Sequence, residues 1–78
     1  MAKQKYHIVT YHPIWNGYDD KEDLNTMSEV SKAARDYLKE NYDTVYVFNE
    51  FTGCLVRVFD ALNKNGRKPY SFEVKQFK

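Results

Sequence analysis

The stretch from Thr26 to Asn41 constrains this chain more than any other part of it. Thr26 is a favourable N-cap and Glu29, three positions on, completes a capping box. Met27, Val30, Ala34, Tyr37, Leu38 and Asn41 recur at three- and four-residue spacings, which places them in one stripe of an amphipathic helix. Ala33 widens the stripe, and two small side chains, Ala33 and Ala34, let the helix sit close to a sheet. Lys32, Arg35, Asp36, Lys39 and Glu40 populate the outer face, and Asn41 can supply a left-handed residue at the C-terminus. A helix with one apolar stripe needs a partner layer, and the rest of the sequence offers strands.

The first strand is Tyr6-His7-Ile8-Val9-Thr10-Tyr11-His12, rich in β-branched and aromatic residues. Pro13 cannot donate to a sheet ladder and ends it or places it on an edge. Residues 13–25 read as a long loop around the turn signal Asn16-Gly17, a length that points to a functional or mobile segment. Thr44 to Asn49 is a second strand and Cys54 to Asp60 a third, joined by a hairpin connection in which Gly53 takes positive φ. Asn63-Lys64-Asn65-Gly66 is another turn. After Pro69, the alternation of Tyr70, Phe72 and Val74 with Ser71, Glu73 and Lys75 predicts a last strand reaching Phe77. The expected fold is α+β with the order β-α-β-β-β, one helix on a mainly antiparallel sheet of about four strands.

The 78 residues, 42% hydrophobic and 29% charged, suffice for one domain with one core, spanning 1–78. Aromatic residues reach 17%, either to fill a small core or to form a recognition surface. Cys54 is the only cysteine, which excludes an intrachain disulfide and a cysteine-based metal cluster. No apolar run has the length of a membrane span, and Met-Ala-Lys-Gln-Lys-Tyr lacks the apolar stretch of a signal peptide. The expectation is a soluble, cytoplasmic protein without a cofactor.

One helix covers one face of a sheet. In the central strands, however, Tyr46 and Phe48 alternate with Val45 and Val47, and Leu55 and Phe59 with Val56 and Val58, so both faces are apolar. An uncovered apolar face marks a partner surface, for another protein or for a second copy of the chain.

Chemical constellations are sparse. His7 and His12 lie five positions apart on one strand and so face opposite ways. Cys54 lacks a neighbouring base and reads as an inert, partly buried thiol. Asp19-Asp20-Lys21-Glu22-Asp23 lacks the ligand spacing, central Gly and closing Glu of a calcium loop. Five acids against one lysine give residues 19–29 a local net of −4. That charge favours the helix N-terminus and a basic partner. Trp15 and Tyr18, with Asp19, Asp20, Glu22 and Asp23 as a polar rim, form a candidate partner-binding loop. Residues 64–78 carry a net of +4. Within them Lys64, Arg67, Lys68 and Lys75 interleave with Tyr70 and Phe72, the mixture that single-stranded RNA or DNA binders use for phosphates and bases.

The opening strand Tyr6 to His12, the helix around Ala33-Ala34-Arg35, and the strands ending in Asn65-Gly66-Arg67-Lys68 and an aromatic segment resemble the small phage-encoded inhibitors of host machinery of the anti-CRISPR type. That resemblance implies stoichiometric binding to a host protein or nucleoprotein complex in the host cytoplasm. The expected function is therefore a non-enzymatic, inhibitory protein-binding module. The alternative is a single-stranded nucleic-acid-binding domain built on the basic aromatic C-terminal segment.

Overall fold

The computed structural model describes residues 5–12, 14, 17–40 and 42–76. The α+β class, the helix and the antiparallel sheet are as the sequence predicts. The element order is not. It runs β1 (Tyr6–His12), β2 (Gly17–Leu24), α1 (Met27–Lys39), β3 (Thr44–Asn49), β4 (Leu55–Asp60) and α2 (Ser71–Gln76).

The four strands form one sheet in the order β2-β1-β3-β4, with every neighbouring pair antiparallel. Residues 17–24, expected as loop, are an eight-residue edge strand. Gly, Asp, Lys and Glu are poor strand formers, yet β1 supplies a ladder of backbone partners from Tyr6 opposite Leu24 to His12 opposite Gly17, interrupted by one register shift. Charges on an exposed edge also discourage pairing with other chains.

In place of the expected strand at 70–77, Ser71–Gln76 form the short helix α2, joined to the outer edge of β4 through the pairing of Arg67 with Val58 and the Arg67–Glu73 ion pair; Phe77 lies outside the described residues. Its first turn is set locally, because the Glu73 carboxylate accepts the Tyr70 N–H at 2.9 Å. That contact is one half of a capping box, which favours a helix start.

Helix α1 begins as predicted: Thr26 Oγ1 accepts the Glu29 N–H at 3.2 Å, and Glu29 returns a bond to the Thr26 N–H. Its C-cap is Glu40, and Asn41 lies outside the described residues. Val30 and Ala34 are fully buried and join Ile8, Val45, Val47 and Phe59 in the principal core. Burying each of the larger side chains contributes about 1.5–3 kcal/mol.

A second cluster, Val9, Tyr46, Leu55 and Val58, lies on the other face of the sheet. Strict alternation would put Leu55 beside Phe59. A register shift between Val47 and Phe48 breaks the alternation, so Leu55 joins Val58 while Val56 packs with Phe59 toward the helix. Both faces are thus apolar, and α1 covers one.

Candidate docking face of the sheet

Cross-strand register builds the second face row by row. His7 stands between Asp23 and Phe48, Val9 between Asp20 and Tyr46, and Tyr11 between Tyr18 and Thr44. The Tyr18 ring lies 5.2 Å from that of Tyr11 and 5.9 Å from that of Tyr46, and the residue is 49% exposed. Burial, followed by the neighbouring Tyr18, pushes the Tyr46 hydroxyl up to about 12, so it stays protonated.

A groove of about 500 Å³ opens on this face between β2 and the β3–β4 turn. Val9, Tyr18 and Phe48 give it an apolar floor, and His7, Asp20 and Glu50 line its rim. The wall carrying Glu50 is fixed by its backbone. Glu50 N–H donates to Lys5 O at 2.8 Å and Asn49 N–H to Cys54 O at 2.8 Å, while Asn49 Oδ1 accepts from Phe51 and Thr52. Gly53 takes φ +71° in that turn, as predicted.

The rim is electrostatically organised around His7. Its Nε2 lies 2.9 Å from Asp20 Oδ1 and its Nδ1 2.7 Å from Asp23 Oδ1. These bonds, Asp20's first, raise the imidazole above its ordinary pKa despite partial burial. Lys5 adds a cation 3.8 Å from Asp23. Ligand atoms of His7, Asp23 and Glu50 all lie within 4.8 Å of one another, which is reach enough for a divalent cation, although the Asp23 carboxylate is already held by His7 and Lys5.

The predicted acidic-aromatic site is therefore split. Register brings Tyr18, Asp20 and Asp23 together at the groove and sends Asp19 and Glu22 to the helix side of the sheet, opposite Thr10 and Ile8. There Glu22 accepts a hydrogen bond from the Tyr37 hydroxyl. Burial, then Glu22, raises the Tyr37 pKa strongly. A register shift opposite Ile8 and Val9 leaves Lys21 unpaired in the ladder, and its Nζ donates to the Tyr42 hydroxyl at 2.7 Å. Trp15 lies outside the described residues. Cys54, expected to be partly buried, is exposed and just precedes β4.

The basic-aromatic set is likewise dispersed. Arg67 is engaged: its guanidinium grips both oxygens of Glu73 at 2.7 and 2.9 Å, reaches Asp60 at 3.2 Å and lies over the Tyr70 ring at 4.1 Å. Lys64 sits beside Arg35 and Lys39 at the end of α1, while Lys68 is exposed. Tyr70 and Phe72 stack on each other at 5.5 Å, both exposed, and the Lys75 side chain lies outside the described set. His7, Val9, Phe48 and Glu50 are the groove residues that sequence reasoning missed. They converge only through the β1–β2 and β1–β3 registers. For His7 and Val9, the signal that could have set them beside the acidic run is the turn propensity of Asn16-Gly17 in the sequence.

No known protein family, curated protein or solved structure matches the chain.

Proposed function

We propose that this chain is a non-enzymatic protein-binding module whose partner docks on the second face of the sheet, over the groove beside Tyr18. The observation that carries the reading is the open groove beside the half-exposed Tyr18, on the face that α1 does not cover and backed by the buried second cluster, Val9, Tyr46, Leu55 and Val58. Aromatic rings at the centre of an apolar patch with charged residues at its rim match the usual anatomy of an interface. Stoichiometric inhibition of a host protein or nucleoprotein complex, as in the phage-encoded inhibitors the sequence resembles, is the form of binding this reading favours. The nucleic-acid reading is weaker, since Arg67 is bound by Asp60 and Glu73 and Lys64 points elsewhere.

The test is affinity capture from the native host's lysate after nuclease digestion, with wild type and Tyr18→Glu as baits. The reading expects a nuclease-resistant partner that Tyr18→Glu loses while remaining folded by circular dichroism. Equal recovery by both baits, or a capture abolished by nuclease, refutes it.

A further inference from the structure

We propose that the groove takes a cationic, amphipathic segment of a partner protein: an apolar side chain seated on Val9, Tyr18 and Phe48, flanked by a Lys or Arg that meets Asp20 and Glu50. The inference rests on the docking reading of this face and adds the chemistry of the occupant.

The charges around the groove select that chemistry. Three carboxylates, Asp20, Asp23 and Glu50, surround one imidazole and the Lys5 ammonium. Asp23 is occupied by both of those groups. Asp20 touches His7 through one oxygen, yet its side chain is 81% exposed, so its second oxygen remains available. No hydrogen bond or ion pair among the described residues holds the Glu50 carboxylate, whose backbone is nonetheless fixed by the Lys5 carbonyl. A segment arriving with a cation meets two accessible acids, Asp20 held by His7 and Glu50 carried on a fixed backbone, and one arriving with a carboxylate or phosphate is repelled. The mouth is open as well, because a Cβ built at Gly53 would meet no atom within 4 Å. The apolar floor calls for a second feature: a cation alone would make no use of the half-exposed Tyr18 ring beside Val9 and Phe48. Charge and shape together therefore call for both properties in one short segment.

Three capped pentapeptides test this against the intact chain by amide chemical-shift titration. They are Lys-Leu-Arg-Phe-Lys, the same peptide with Glu at each basic position, and the basic peptide with Gly at Leu and Phe. The first should shift the amides of Val9, Phe48 and Gly53 and bind about tenfold more tightly than either counterpart. It should also weaken several-fold when salt rises from about 50 to about 300 mM. The double variant Asp20→Asn, Glu50→Gln should lose the preference for the basic peptide while Asp36→Asn, on the outer face of α1, keeps it. Equal or tighter binding of the Glu peptide overturns the proposal and leaves the docking reading standing. Shifts at the groove produced by raising the protein's own concentration also overturn it, since the occupant would then be a second copy, whose exposed Lys68, Tyr70 and Phe72 share the required chemistry. Failure of all three peptides to shift the groove overturns it too, while the nuclease-resistant capture reports separately on the docking reading.

Discussion

Replacing Arg67 with Met should cost this protein much of its stability, and the structure indicates how much. Arg67 is mostly buried, and so is Glu73, whose side chain is only 7% exposed. Removing the guanidinium breaks two charge-assisted bonds to Glu73 at 2.7 and 2.9 Å and one to Asp60 at 3.2 Å. Removing one member of a fully buried pair costs about 3–5 kcal/mol, because the other charge is left uncompensated. Here there is an escape. Helix α2 is joined to the sheet mainly through the Val58–Arg67 pairing, so residues 70–76 can swing out and return Glu73 to water. The backbone pairing with Val58 survives the substitution, so the loss is then limited to the three side-chain bonds, at roughly 1 kcal/mol each once Glu73 is back in water, or about 2–3 kcal/mol. With a urea m-value of about 1 kcal/mol/M for a chain of this size, the midpoint should fall by about 2 M. Urea unfolding followed by circular dichroism measures it. A double-mutant cycle with Glu73→Gln should return a coupling near 2 kcal/mol, and amide exchange at Glu73 and Val74 should quicken in Arg67→Met. A loss under about 0.5 kcal/mol with unchanged exchange would show that the Arg67 cluster does not hold the C-terminal segment, and the reasoning would fail.

The same cluster sets a pH dependence. Arg67 holds the Glu73 carboxyl below its ordinary value; at Asp60, burial pushes upward but the Asn63 and Arg67 bonds outweigh it, and the net is also downward. Groups with depressed native pKa values stabilise above the unfolded values, about 4, and that contribution is lost as pH falls through the native ones. The cluster's contribution to the urea midpoint should therefore be steady from about pH 7 to 5, where the raised His7 adds a rise on acidification, and should fall below about pH 4, less steeply in Arg67→Met. Thr10 is fully buried and its hydroxyl has no hydrogen-bond partner among the described residues, so Thr10→Val should raise stability by about 1 kcal/mol in the same assay. Two glycines should respond unequally to Ala. Gly66 has φ +92° and a Cβ there would fall 2.8 Å from Arg57 Cδ and 2.9 Å from the Phe59 ring, costing about 3 kcal/mol. Gly53 has φ +71° with open space around it and should cost about 1 kcal/mol.

Elements whose signals are local were legible from the sequence. Thr26 and Glu29 mark the start of α1 because the capping box is a four-residue device, and the Val30–Ala34–Tyr37–Leu38 stripe fixes its buried side. The β-branched runs at 6–12, 44–49 and 55–60 became strands for the same reason. Strand β2 was hidden because Asp19 to Asp23 have no preference for a strand. Their conformation is imposed by the neighbouring β1 backbone, a partner that propensity does not contain. The segment 70–76 misled in the opposite way. Its six-residue alternation fits a strand, but Glu73 satisfies the Tyr70 N–H and Arg67 at once, a capping contact that favours a helical turn. The groove was partly visible, as an apolar second face and as Tyr18, Asp20 and Asp23. His7, Val9, Phe48 and Glu50, also at the groove, come from β1, β3 and the β3–β4 turn, and the side to which Leu55 points depends on a register shift that no periodicity reveals.

Photo-crosslinking reports most directly on whether this face docks a partner. A benzophenone amino acid placed at Tyr18, on the groove, and another at Lys32, on the outer side of α1, would be irradiated in nuclease-treated lysate of the native host. Crosslinking to one protein from position 18 and none from position 32 is the predicted result. Equal crosslinking from both positions, or crosslinking from 32 alone, would contradict it.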